Sequence, residues 1–555
     1  MSNPFKDRSF NIFLVIVAVF FLTRLLAVGQ IYHQDEYRWA VLTNPVFNAF
    51  VSPHPPLTKY FLRFVGESFG FFNLRYAILF FSFLNLILVH KVIKKITGQV
   101  NIALLGSALF VLSAYGAIAG LQIDIDGAIL PFFGLLSYYA YLHVFEDKKR
   151  YLWWGVFALA LIGGFLSKIS FILFLLAIIA DYIFVLFDSG RFDARKIFIK
   201  VAKFGGTIFL VGLVFYFIYS DRLSNVIQYA EHFKSLNFGS RAYFDLAFKV
   251  MKSLVWLSPL LLLPTVAGLF SREIFKKYRF WYLYLFFNLI FYLVLFDFTN
   301  LTIERYLMFL IIPTAIISSD VLFGWFRDFD FKKYSKTIIF SLLVFVGFTA
   351  FVLSVHHVAL PLNPKSEYVN QIKHLDFNFL LPLTGGSGPV GFYFSASFIL
   401  ISWIVSIIAI LGAVTSKKLR NLSIIIFVII GLGYNILFLN EYLFGSIFGS
   451  VPNITRDTVS YIQSDPKITK VITYYDIGAY DLTVMGKYYS RFYTAPSRDY
   501  TKKITEFRGQ YMVVDFPGID KNSLYWKLIT RCPTVKEFKD KEINSYVFDC
   551  GYVYK

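Results

Sequence analysis

Apolar runs of about 17–23 residues recur along the chain, separated by short polar breaks. They lie near 11–28, 72–90, 101–119, 127–143, 152–165, 169–187, 198–219, 253–270, 280–297, 306–323, 337–354, 393–413 and 422–440. A helix of that length covers a hydrocarbon core of about 30 Å, so the pattern predicts about thirteen membrane spans. Two of the polar breaks hold a helical rhythm of their own. Leu57, Phe61, Phe64, Val65 and Phe69 share one helical face, and Leu223, Val226, Ile227, Ala230 and Phe233 share another. Such amphipathic segments suit the lipid interface or the top of the bundle.

The rhythm changes near residue 441. From there helical and alternating runs succeed one another: helix in "ITRDTVSYIQS", strand in "KVITYYD", a helix, strands in "SRFYTA" and "QYMVVDF", helix in "KNSLYWKLIT" and strand in "SYVFDC". Short strands alternating with helices predict a small α/β domain. The expected division is a transmembrane domain over 1–440 and a soluble extracytoplasmic domain over 441–555.

Composition agrees, with 57% hydrophobic and 16% charged residues, against about 25% charged in an ordinary soluble domain. The first run lacks a small-residue cleavage site, so a retained span is expected rather than a signal peptide. The formal charge of +19 falls mostly in alternate breaks: "KDR", "HKVIKK", "EDKKR", "RFDARK", "REIFKKYR", "RDFDFKKYSK" and "KKLR". Basic breaks face the cytoplasm, which places the N-terminus inside and the C-terminus outside a multi-pass cell-membrane protein. Charge spread over so many loops argues against a nucleic-acid partner. Cys532 and Cys550 both fall in the outer tail, where a disulfide is chemically permitted alongside the alternative of two free thiols.

The remaining breaks gather ionisable groups of both signs on the outer side. "IYHQDEYRW" carries His33, Asp35, Glu36 and Arg38; "SPHPPLTKY" carries His54 and Lys59; "LQIDIDGAIL" carries Asp124 and Asp126; "GGFLSKISF" carries Lys168; "TIERYLMFLIIP" carries Glu304 and Arg305. Any one of them reads as a side chain anchoring a span end in the interface. Lys168 and the two aspartates sit in hairpin tips of a few residues between apolar spans, where ionisable groups are costly and mark function. Carboxylates deprotonate hydroxyls or hold metals, and Lys and Arg hold phosphates. A lipid-linked phosphate at the membrane surface answers both demands.

Taken in order, "DEYRW", "HPPLTKY", "DIDGAIL", "GFLSK" and "ERYLMFLIIP" resemble the successive outer-loop motifs of the C-type glycosyltransferases. The similar branch is glycosyltransferase family 39, with the protein O-mannosyltransferases and lipid A aminoarabinose transferases. The resemblance covers roughly residues 10–320. It implies transfer, with inversion, of a hexosyl or pentosyl sugar from a polyprenyl (dolichyl or undecaprenyl) phosphate to an extracytoplasmic acceptor such as protein, lipid or glycan. It also implies that Asp35 is the general base, assisted by Glu36. Arg38, His54, Lys59, Lys168 and Arg305 would bind the donor phosphate, and Asp124 and Asp126 the sugar or acceptor. His54 departs from the lysine that the aminoarabinose branch has before Pro-Pro-Leu. Glu36, Asp124 and Asp126 would suit Mg²⁺ or Mn²⁺ if a metal takes part. The competing expectation is a transporter or lipid-linked-sugar flippase. Transporters place ionisable groups near the bilayer midplane, whereas these spans are nearly charge-free in their middles, with Asp181 the main exception.

Overall fold

In the computed structural model of the chain, the described residues are 8–47, 54–144, 150–190, 243–295, 304–327, 329–363, 365–384, 389–416, 418–495 and 498–551. The expected span at 198–219 and the amphipathic segment at 223–233 lie outside them. The other expected spans are apolar helices, two of them broken within their length, and the described residues form a polytopic helical bundle.

The count of thirteen is not confirmed over the described residues. Among the described residues nine helices are long and apolar enough to cross a membrane, from Arg8–Val28 to Arg420–Phe444, or up to ten with one bent pair. Two expected spans are shorter apolar helices, Val100–Leu112 and Arg279–Val294. The run at 253–270 is the bent pair, Lys249–Trp256 and Pro259–Leu269, turned through 110°. Its break has a local cause. Pro259 opens the second helix, and Ser258 Oγ accepts the Leu260 N–H at 3.2 Å. A proline continues no helical ladder from behind but fits a first turn. The stretch at 101–119 breaks similarly at Ser113, which is extended and accepts the Gly116 N–H.

Helix Pro56–Phe69 forms as the apolar rhythm predicts. Leu62 and Val65 pack inward while Phe64 and Phe69 remain 64% and 67% exposed, so apolar surface is left on its outer side as interface burial requires.

Strands β1 (Val358–Ala359), β2 (Phe379–Thr384) and β3 (Pro389–Ser395) form a small sheet above the bundle. The tail builds a five-stranded sheet from β4 (Val471–Tyr474), β5 (Tyr488–Phe492), β6 (Gln510–Val514), β7 (Thr534–Asp540) and β8 (Ile543–Asp549), in the order β5-β4-β6-β8-β7. β4 pairs in parallel with β5 and β6, and β8 antiparallel with β6 and β7. The sequence pattern anticipates four of these strands. It misses β7, "TVKEFKD", because an edge strand carries charge along its length. A disulfide joins Cys532, ahead of β7, to Cys550, just past β8.

The tail sits on the bundle's site end. Tyr480 packs on Tyr32 with centroids 5.3 Å apart, and Tyr488 of β5 packs edge-on against Tyr37 at 5.5 Å.

Candidate active site

The helix after the first span, Gln34–Thr43, presents Asp35 and Glu36 in succession. Adjacent residues on a helix diverge by about 100°, and the two carboxylates part accordingly. Asp35 turns to Arg305, whose guanidinium pairs with its Oδ2. Arg305 Nε lies 3.1 Å from Asp124 Oδ2, so one arginine spans both carboxylates. Beside them Lys168 Nζ donates to both oxygens of Asp126, at 2.7 and 2.6 Å. Arg305 also donates to the Tyr306 hydroxyl at 2.9 Å, and the Lys168 ammonium lies 5.2 Å from the Tyr306 ring centre. Asp35, Asp124, Asp126 and Arg305 are buried. Four separate loops thus meet in one cluster.

Irregular backbone places these groups. Asp124 stands in an extended conformation before the π-helical turn Ile125–Ile129 and accepts the Ile125 N–H at 2.7 Å. One of its oxygens caps a helix start, where a carboxylate is favoured, and the other faces Arg305. Gly127 is demanded by close approach, since a Cβ there would strike the Ala119 carbonyl. Lys168 is an extended residue between helix Arg150–Ser167 and the 3₁₀ turn Ile169–Phe171. Arg305 lies on a 3₁₀ segment, Glu304–Leu310. Such departures from α geometry cluster at functional sites.

His54 stacks on Trp39, with ring centres 6.0 Å apart, within electrostatic range of Lys168, Asp126, Arg305 and Asp35. Burial, reinforced by Lys168, lowers its pKa to about 3. His54 is therefore neutral at pH 7. It stands beside the cluster as a neutral donor or acceptor. Arg38 is 3.8 Å from Asp35 with its side chain 44% exposed, at the outer edge of the cluster. Lys59 is carried half-buried on helix Pro56–Phe69.

Glu36 requires the larger correction. Arg75 holds it by two bonds, Nε to Oε1 at 2.9 Å and Nη2 to Oε2 at 2.6 Å. Glu36 also accepts the His33 and Ile123 backbone N–H groups, each at 3.1 Å. With its oxygens so occupied, Glu36 is a tie between the outer loops rather than a partner of Asp35 in chemistry. The metal set fails for a related reason. Glu36, Asp126 and Asp124 each face their own cation, and among the described residues no three His, Cys, Asp or Glu side chains converge on a point that would hold an ion.

Several participants escaped the sequence reading. Arg75, the first residue of helix Arg75–Thr97, was not singled out. Lys252 pairs with Glu304 at 2.6 Å, and Thr384 of β2 donates to the same carboxylate. Lys168 has no acidic neighbour in sequence, and its partner Asp126 lies 42 positions away. Sequence distance hid both pairings. Beside Asp126 lies a cavity lined by Ser170, Phe174, Tyr284, Asn288, Tyr292 and Tyr306.

The comparisons can be set beside this geometry. Residues 53–219 match the profile of the family described as dolichyl-phosphate-mannose-protein mannosyltransferase. The fold is similar to that of ArnT from Cupriavidus metallidurans in the apo state, with TM-score 0.54, 13% identity, and 99% of this chain and 100% of that chain covered. The same enzyme bound to undecaprenyl phosphate matches with TM-score 0.50 and 14% identity over 96% and 97% of the two chains. An archaeal oligosaccharyltransferase, AglB from Archaeoglobus fulgidus, in complex with an inhibitory peptide and a dolichol-phosphate, aligns at TM-score 0.44 and 10% identity over 87% of this chain and 64% of that one. No curated protein matches the chain by sequence. The chain has the C-type glycosyltransferase fold, and the resemblance read from its outer-loop motifs is borne out.

Proposed function

We propose that this multi-pass membrane protein, with its C-type glycosyltransferase fold, is a glycosyltransferase that moves a sugar from a polyprenyl phosphate to an acceptor hydroxyl on the outer side of the membrane. The observation that carries the reading is the single arginine, Arg305, set between Asp35 and Asp124 with the Lys168–Asp126 pair alongside. The undecaprenyl phosphate in the similarly folded ArnT supports the class of donor. In the displacement, the acceptor oxygen attacks the anomeric carbon opposite the phosphate and inverts it. Asp35 takes the hydroxyl proton as the new bond forms. The C–O bond to phosphate breaks with its electron pair, and the leaving phosphate gains charge that Arg305, Lys168 and Arg38 neutralise. Stabilisation of developing charge in a dry site is usually the largest catalytic contribution.

The test is turnover by the purified chain in liposomes loaded with a polyprenyl-phosphate sugar. Sugar transfer or release supports the enzyme; solute flux without it supports the transporter.

The cations already face carboxylates, so a phosphate must share them. This competition gives a signed expectation. Lys168→Ala should weaken undecaprenyl phosphate binding by about 10–100-fold, the worth of one charge-assisted hydrogen bond. Asp126→Asn removes the competing charge and should tighten it. Lipid titration in nanodiscs reads both.

A pH limb is also expected. Burial raises Asp124 to about 6, with Arg305 opposing the rise and Asp126 adding to it. Above that pH Asp124 is ionised and holds Arg305; below it the carboxyl protonates and lets Arg305 go. Transfer should therefore fall as pH drops through about 6, and the limb should flatten in Asp124→Asn. A kcat/KM profile from pH 5 to 8 decides it.

A further inference from the structure

Glu304 stands one position before Arg305, at the start of the 3₁₀ segment, and the displacement chemistry does not use it. It is buried. Arg305 already faces Asp35 and Asp124, and Glu304 offers it a third acid. Two arrangements keep Glu304 away. Successive residues of a 3₁₀ turn diverge by about 120°, so the two side chains leave the backbone in different directions. Partners from two other parts of the chain then take up both carboxylate oxygens. Lys252 Nζ lies 2.6 Å from Oε1, and the Thr384 hydroxyl donates to Oε2. The Glu304 backbone carbonyl accepts the Tyr115 hydroxyl.

Lys252 comes from the helix ahead of the 110° bend, and Thr384 is the last residue of β2. The Lys252 and Glu304 side chains are only 16% and 4% exposed, so little water is present to screen either charge once its partner is gone. The cluster alongside has no cation to spare. At pH 7 Asp35, Asp124 and Asp126 face Arg305, Lys168 and Arg38, three negative charges against three positive ones before any phosphate enters. An uncancelled Glu304 would turn that balance negative next to Arg305.

We propose that Lys252, aided by Thr384, is a positioning residue that acts through Glu304: it sequesters this carboxylate so that Arg305 stays available to the donor phosphate. The inference rests on the glycosyltransferase reading above. An ion pair that only holds the fold together would make both of its members necessary for binding. A pair that sets the potential at Arg305 makes its cation helpful to a phosphate and its anion harmful, so removing one or the other has opposite signs.

Undecaprenyl phosphate titrated onto the full chain in zwitterionic nanodiscs tests it, with a melting temperature taken for each variant. Lys252→Met leaves Glu304 uncancelled and should weaken binding by about 10–50-fold, the scale of one unit charge within about 10 Å at an effective dielectric of about 20. Glu304→Gln keeps the size and an acceptor oxygen for Thr384, leaves Lys252 as an extra cation, and should tighten binding by about 3–10-fold. The double variant removes both charges and should bind within about 3-fold of the wild type. Weaker binding in both single variants is the mark of lost structure and overturns the proposal. Wild-type affinity in Lys252→Met, or a double variant as weak as Lys252→Met, overturns it too. If Lys252→Met does not fold, Glu304→Gln decides alone: tighter binding supports the proposal, and unchanged or weaker binding overturns it. A wild-type chain that does not bind undecaprenyl phosphate is a separate result and overturns the donor reading instead.

Discussion

Asp35→Asn should bind the polyprenyl-phosphate donor at least as well as the wild type and transfer its sugar about 10²–10⁴-fold more slowly, the usual scale for loss of a general base. The amide keeps the shape of the side chain and still accepts a hydrogen bond from Arg305, so the site should assemble. It cannot take a proton. It also withdraws a negative charge from Arg305, leaving the guanidinium freer for phosphate, so donor affinity should hold or rise while turnover falls. That split between binding and rate separates a base from a structural counterion, whose loss would disturb both. Transfer by Asp35→Asn at the wild-type rate would move the base to Asp124, the other carboxylate on Arg305.

Much of this site is legible in the chain because membrane burial makes charge conspicuous. Lys168 stands alone between two apolar runs, and Asp124 and Asp126 occupy a tip of a few residues, so each calls for a partner. The order of the outer loops then brings these residues to one side, and the helical angle between neighbours already divides Asp35 from Glu36. What the sequence conceals is which charge meets which. Lys168 and Asp126 are 42 positions apart, Asp35 and Arg305 are 270 apart, and the meeting depends on a π turn, a 3₁₀ segment and an extended break that carry no periodic signal. The bend at Ser258–Pro259 is similar, since hydropathy counts the apolar residues of 253–270 without registering that the chain turns there. In the tail, buried strands announce themselves as short β-rich apolar runs, while the charged edge strand β7 reads as loop.

The Glu36–Arg75 pair is where adjacent carboxylates should behave most differently. Breaking a buried ion pair by removing one partner typically costs about 3–5 kcal/mol, because the survivor is left charged and unpaired. Here the survivor would be Arg75, whose side chain is 2% exposed and already donates to the Val28, Gln30 and Ile31 carbonyls. Removing Glu36 also orphans the backbone N–H groups of His33 and Ile123. These groups tie the end of the first span, the first outer loop and the segment entering Asp124. Glu36→Ala should accordingly lose most of the folded protein, seen as a drop in the monodisperse peak and in melting temperature in detergent, whereas Asp35→Asn should not. Glu36→Gln keeps the size and an acceptor oxygen and should recover part of the fold. Replacing both partners, Glu36→Met with Arg75→Met, removes the unpaired charge but leaves the carbonyls and amides without partners, so it should fall between Glu36→Ala and the wild type. A Glu36→Ala protein that melts like the wild type yet transfers no sugar would return Glu36 to the chemistry and break the division of labour between the two neighbours.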